Sequence, residues 1–195
     1  MRRSARAGRG WLAAATLAAL APAAAPAAEQ KPDPALRALL VAAAADTESF
    51  VDRFDAEVWL VDMAHRLGKR VADPEERLEI LRHVHAEASR AELPPELVLA
   101  VIDVESNFDR FAISYAGARG LMQIMPFWLD EIGRPGDNLF HIKTNLRFGC
   151  TILRYYLDRE NGDLTKALAR YNGSVGRRVY PDKVMNRLSG RWYQR

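Results

Sequence analysis

Among the residues that could do chemistry, Glu105 has the most telling position. It follows Val98 by seven residues, Val101 by four and Ile102 by three, so it continues the apolar stripe of a helix. A carboxylic acid placed there is costly to ionise unless it is paired, and its pKa is expected to rise above the ordinary value of about 4.3. General acids that work near neutral pH need such a shift. A buried glutamate satisfied by an arginine fits the same spacing, and on this helix alone that structural role carries more weight.

Glycoside cleavage commonly uses two carboxyls, one as acid and one as nucleophile or base. Here Glu105 is the one acid that the spacing sets on a buried stripe. Asp103 points elsewhere, and Asp109 lies four residues on, where the helix is ending. A single buried carboxyl suits a substrate-assisted mechanism, in which an N-acetyl group of the sugar replaces the second carboxylate. Other chemistries find less support. His65, His83, His85 and His141 are scattered, so neither a metal nor a cofactor is expected. Asn172-Gly173-Ser174-Val175-Gly176 lacks the first glycine of a nucleophile elbow and follows no strand, which argues against a serine hydrolase. No phosphate-binding glycine loop is present.

The helix that must position Glu105 opens at Pro94-Pro95, where missing N–H groups cost nothing, and Glu96 complements its dipole. From Leu97 to Val104 every residue except Asp103 is apolar, which predicts a helix buried nearly all round. Ahead of it, Asp73-Pro74-Glu75-Glu76 starts a helix whose buried side is read from Leu78, Leu81, Val84 and Ala88. Earlier still, Ala35 to Ala45 favours helix, and Asp46 or Thr47 caps another with Phe50, Phe54, Trp59, Met63 and Leu67 on one face. Downstream, Phe111 to Gly120 reads as loop, Phe127 to Ile132 as a short helix and Arg134 to Asn138 as a turn. Thr144 to Leu157 forms an amphipathic helix with Leu146, Cys150, Leu153 and Leu157 on one side. Asp163 caps Leu164 to Tyr171, Asn172 to Gly176 is a break, and the basic tail holds one short helix around Lys183 to Leu188. No strand pattern of convincing length and no repeat appears. The expected class is all-α.

Composition bounds the partners. Arg2, Arg3, Arg6 and Arg9 precede the apolar run Trp11 to Leu20 and an Ala/Pro segment to Ala28, the pattern of a secretory signal peptide cleaved after Ala27 or Ala28. The run is too short, and too broken by Pro22 and Pro26, for a membrane span. Removing those four arginines from 28 Lys+Arg leaves 24 against 25 Asp+Glu, or −1, so the formal charge of +3 gives no argument for nucleic acid. The half from Val101 onward is mildly cationic, with 15 basic and 10 acidic residues, which would suit an anionic polymer. The single cysteine, Cys150, excludes an intramolecular disulfide. An exported, periplasmic chain with no membrane anchor after cleavage is the expectation.

Three stretches in order sharpen this reading. Glu105-Ser106, then Ala116-Gly117-Ala118-Arg119-Gly120-Leu121-Met122-Gln123-Ile124-Met125-Pro126, then Ala169-Arg170-Tyr171-Asn172-Gly173 resemble the soluble lytic transglycosylase family, which is related to goose-type lysozyme. Asn145-Leu146-Arg147-Phe148-Gly149 and Ile152-Leu153 add the family's connecting helix, and the resemblance runs from about Ile80 to Gly176. It implies a lysozyme-like helical catalytic domain at 80–195, on which an N-terminal helical segment, 29–79, would pack after removal of 1–28. It also implies cleavage of peptidoglycan glycan strands, with envelope proteins as further partners. Glu105 would be the sole acid/base. It would protonate the oxygen between N-acetylmuramic acid and N-acetylglucosamine, then deprotonate the muramoyl 6-hydroxyl, which attacks C1 to give a 1,6-anhydro product. Ser106 would hydrogen-bond within the site, Met122 and Gln123 would line the sugar cleft, and Tyr171 and Asn172 would orient the acid and the N-acetyl group. The chain departs from the family in having Gly173-Ser174 after the Tyr-Asn pair and in lacking a Glu-Thr segment further on. Val179-Tyr180-Pro181 stands in that region, and Tyr180 is a candidate substitute contact. The alternatives are a muramidase that uses water and an inactive glycan-binding scaffold.

Overall fold

Helix formation follows the caps and prolines, and packing follows the one helix that is apolar on every side. The computed structural model describes residues 53–132 and 134–193. Seven α-helices lie in them: α1 (Arg53–Leu67), α2 (Pro74–Arg90), α3 (Pro95–Glu105), α4 (Phe127–Ile132), α5 (Ile142–Arg159), α6 (Leu164–Tyr171) and α7 (Val179–Arg187). A π-helical turn, Leu188–Trp192, closes the described chain. Among the described residues there is no strand, only isolated bridges joining Ile113 to Arg119 and Arg119 to Ile124. The all-α class is as expected. The signal segment, the lead-in to Pro34, the helix at Ala35 to Ala45, the cap at Asp46 or Thr47 and Phe50 all lie outside the described residues, as does the burial of Phe54.

Every residue of α3 from Leu97 to Asp103 is buried. Around it, α2 packs on α1, α3 and α5, while α7 and the π turn close against α3. Trp59, Met63 and Leu67 of α1 join this core. In α2, Asp73 accepts a hydrogen bond from the Glu75 N–H and Pro74 takes the first helical position. Its buried side is Ile80, Leu81, Val84, Glu87 and Ala88. Leu78 was expected there and is instead exposed. At 100° per residue it stands about 120° from the centre of the arc that α1, α3 and α5 cover. Glu87 is the acid inside that arc. Its carboxylate receives Nε and Nη2 of Arg147, at 2.8 and 2.7 Å, and Nε of Arg90 at 2.7 Å, which ties α2 to α5 through a buried, satisfied charge.

Helix α5 runs two residues beyond the expected span at each end. It buries Leu146, Cys150 and Leu153, and Leu157 packs against the core half-buried. Asn161 and Gly162, at φ 53° and 82°, turn the chain into α6, whose Asp163 cap accepts from Lys166 N at 3.0 Å. The last helix begins at Val179, four residues before the expected Lys183. Pro181 lies in its first turn, where the absent N–H would be unpaired in any case. The fully buried Trp192 then draws the chain back across α3. No helix among the described residues is long and apolar enough to cross a membrane.

Candidate active site

Glu105 is the last residue of α3, half-buried at the point where the helix ends on Ser106. Beyond it, Asn107 and Phe108 take left-handed φ values of 50° and 68°. For phenylalanine this conformation is strained, and it is held because the ring is buried against Trp192 with centroids 5.4 Å apart. The Tyr180 hydroxyl, from the first turn of α7, donates to Glu105 Oε1 at 2.6 Å. Burial pushes the Glu105 carboxyl up to about 7, and the Tyr180 hydrogen bond opposes that rise. Burial also raises Tyr171 and Tyr180, followed in each case by the nearby charge of Glu105, so both phenols stay neutral donors. The expected buried acid is therefore satisfied by a tyrosine rather than by an arginine. A carboxyl at about 7 can give a proton and take one back at neutral pH.

A second layer fixes the chain facing this acid. Ser106 Oγ donates to Leu121 O at 2.9 Å, tying the end of α3 to the loop that follows. The Met122 N–H donates to Asn145 Oδ1 at 2.7 Å, and the Met122 carbonyl accepts from the Tyr171 hydroxyl at 2.8 Å. Asn145 Nδ2 donates to Arg119 O at 2.8 Å and Leu139 O at 2.9 Å, so one buried amide gathers three loop positions. Gly120 must be glycine here, with φ 76° and room for a Cβ only 2.4 Å from Asn145 Nδ2.

Of the site residues expected from the sequence, Glu105 meets Tyr180, Ser106 meets Leu121, and Tyr171 meets Met122. Met122 was expected to line a cleft. Its side chain is wholly buried and lies so close to Gly149 that a Cβ there would come within 2.3 Å of Sδ, leaving the backbone to shape the wall. Gln123, at φ 52°, turns Nε2 back onto the carbonyls of Gly120 (3.0 Å) and Ala112 (3.2 Å), bracing the loop. Asn172 caps α6 through its N–H on Leu168 O, and its side chain is exposed. Asn145 was not expected as an organiser of the site. The available signal was an amide directly beside the apolar positions of α5. Asp103 was judged to point elsewhere. It does: its buried carboxylate faces Arg70, Arg187 and Arg191, the last two of which reach it from the surface. Among the described residues no group of three His, Cys, Asp or Glu side chains could hold a metal ion.

The chain is thus a helical domain that carries one half-buried, tyrosine-bonded glutamic acid at a helix end. Residues 82–184 match the model of the Transglycosylase SLT domain, and the chain belongs to that family. It is 33% identical over 113 residues to the transglycosylase of Enterobacteria phage PRD1, covering 54% of this chain and 42% of the phage protein. With membrane-bound lytic murein transglycosylase C of Histophilus somni (strain 2336) it shares 35% identity over 105 residues, 46% of this chain and 29% of that protein. The chain thus spans less than half the length of either relative. Two solved structures are similar, each with a TM-score of 0.44. They are the lytic transglycosylase Slt of Pseudomonas aeruginosa (29% identity, 49% of this chain, 17% of that one) and the 70 kDa soluble lytic transglycosylase of Escherichia coli (25% identity, 69% and 24%).

Proposed function

We propose that this chain is a peptidoglycan lytic transglycosylase in which Glu105 is the sole general acid/base. The observation that carries the reading is the Glu105 carboxyl itself, at the end of α3, raised to about 7 by burial and held by Tyr180. With Oε1 occupied by the phenol, Oε2 is the oxygen that meets substrate. The protonated acid gives its proton to the glycosidic oxygen between N-acetylmuramic acid and N-acetylglucosamine as the C1–O bond breaks. The carboxylate so formed takes the proton of the muramoyl 6-hydroxyl, whose oxygen closes on C1, and the acid is regenerated. No water is consumed. The second carboxylate of ordinary glycosidases is replaced by the N-acetyl group of the sugar. Tyr180 orients the acid, while Ser106, Tyr171 and Asn145 hold the wall formed by Leu121 and Met122. Gln123 would line the sugar cleft, and Asn172 would orient the N-acetyl group. Residues 80–195 form the catalytic unit, against which α1 packs. Residues 1–28 direct the chain to the periplasm.

The test is digestion of purified murein followed by mass spectrometry of the fragments. Transglycosylase products carry 1,6-anhydro ends, one water lighter than the reducing ends that a hydrolytic muramidase leaves. Reducing ends alone would replace this reading with the muramidase. Undiminished murein clearance by Glu105→Gln would remove Glu105 as the acid in both enzymatic readings, and no clearance by the parent chain would leave the glycan-binding scaffold.

A further inference from the structure

Two residues before Glu105 on the same helix stands Asp103, buried, with a side chain only 2% exposed. Residues two apart lie on opposite sides of a helix, so Asp103 and Glu105 present their carboxyls in different directions. One C-terminal segment nevertheless holds both. Tyr180 in the first turn of α7 donates to Glu105. Arg187, seven residues on and therefore on nearly the same face of α7, brings Nε to 3.5 Å from Asp103 Oδ1. From the π turn, Arg191 Nη1 lies 3.1 and 3.0 Å from the two Asp103 oxygens, and the Trp192 indole N–H donates to Oδ2 at 3.1 Å. Arg70, after α1, adds Nε at 3.7 Å. Val184, between Tyr180 and Arg187 in α7, is wholly buried.

We propose that Asp103 is a positioning residue for the reaction: by anchoring Arg187, Arg191 and Trp192 it fixes α7 against the end of α3, and so sets the Tyr180 hydroxyl on Glu105. The inference rests on the reading of Glu105 as the acid. The geometry fits it closely. A phenol at the first turn of a nine-residue helix, with a glycine-rich break before it, depends for its register on the packing of α7 against α3 and α6 and on what fastens the far end. That fastening is the Asp103 cluster. Trp192 also packs on Phe108, three residues after Glu105, so the same anchor braces the left-handed turn at the helix end.

The experiment measures kcat/KM on murein against pH for Asp103→Asn and Trp192→Phe, each alone and combined with Tyr180→Phe. The groups facing Glu105 are Tyr180 from α7 and Tyr171 from α6. Those facing Asp103 are Arg70, Arg187 and Arg191. Loosening Tyr180 removes a hydrogen bond that favours the carboxylate, so the alkaline limb should move upward by about one pH unit. Electrostatics alone predicts the opposite, because removing a negative charge beside Glu105 favours its ionisation and moves the limb downward. The expected result is an upward move with Asp103→Asn, a smaller one with Trp192→Phe, and no further upward move in the Tyr180→Phe background. A limb that stays or moves downward overturns the proposal, and so do additive upward moves. If Asp103→Asn fails to fold, Trp192→Phe, which keeps both the charge and an aromatic ring on Phe108, decides by the same criteria. Glu105→Gln inactive and Tyr180→Phe shifted, with Asp103→Asn unshifted, would sink only the anchoring role. An active Glu105→Gln would sink the catalytic reading beneath it.

Discussion

Tyr180→Phe deletes one oxygen and leaves the buried ring, so it isolates the bond on the acid from the packing of α7. That oxygen donates to Glu105 Oε1 at 2.6 Å. A hydrogen bond to a charged group contributes ~1.5–3 kcal/mol, equivalent to about one to two pK units at 1.36 kcal/mol per unit. The lower end applies here, because the neutral phenol also donates to the protonated acid and because water can reach the half-buried carboxyl. Glu105 should therefore rise from about 7 by about one unit. The first proton transfer needs the protonated acid, so the alkaline limb of kcat/KM should move upward by the same amount. A weaker acid protonates the leaving oxygen less readily, and the plateau rate should fall roughly tenfold. Thermal unfolding should change by no more than about 1 kcal/mol. The assay is anhydro-muropeptide release across pH 5 to 9 (about four units, enough to bracket both limbs). A limb that moves downward, or one that stays put while the rate collapses, would contradict this role of the Tyr180 hydroxyl.

The raised acid also predicts a stability effect. Because its folded value of about 7 exceeds the ordinary 4.5, Glu105 costs nothing below pH 4.5 and progressively destabilises the fold as pH rises towards 7. Glu105→Gln should be more stable than the parent by ~3 kcal/mol at pH 8 and indistinguishable at pH 4, as read by denaturant unfolding at the two values. Glu87→Ala leaves Arg147 and Arg90 without their buried carboxylate and should cost ~3–5 kcal/mol in the same experiment. Gly149→Ala drives a Cβ into Met122 and should cost ~1–3 kcal/mol. Combining it with Met122→Ala should then cost less than the sum of the single changes, and strict additivity would contradict the contact.

What could be read before the structure was whatever depends on local pattern. The Asp73-Pro74 and Asp163 caps, the all-round burial of α3 and the short helix at Phe127 are set by neighbours within one or two turns, and they appear where the spacing puts them. Glu105 belongs to this group, since its stripe is local. Leu78 shows the limit, because which arc of α2 is covered depends on three other helices. The start of α7 was obscured by Pro181, which reads as a breaker unless its place in the first turn is known. The bonds of Asn145 to Met122 and Arg119, of Asp103 to Arg191 and Trp192, and of Tyr180 to Glu105 join residues 23 or more positions apart, up to 89 for Trp192 and Asp103, and no periodicity encodes such partners. Tyr180 was named only because the family's usual residues are missing around it.

Cys150 has so far served as a piece of core. Its sulfur is fully enclosed, and burial, with the nearby charge of Glu87, pushes the thiol far above its ordinary range. Alkylating reagents attack the thiolate, so the folded chain should be silent to them. Each labelling event then records an excursion in which α5 has come away from its neighbours. The one cysteine makes the protein its own opening counter, and its labelling rate in dilute denaturant would rank every variant above on a single scale without a murein substrate.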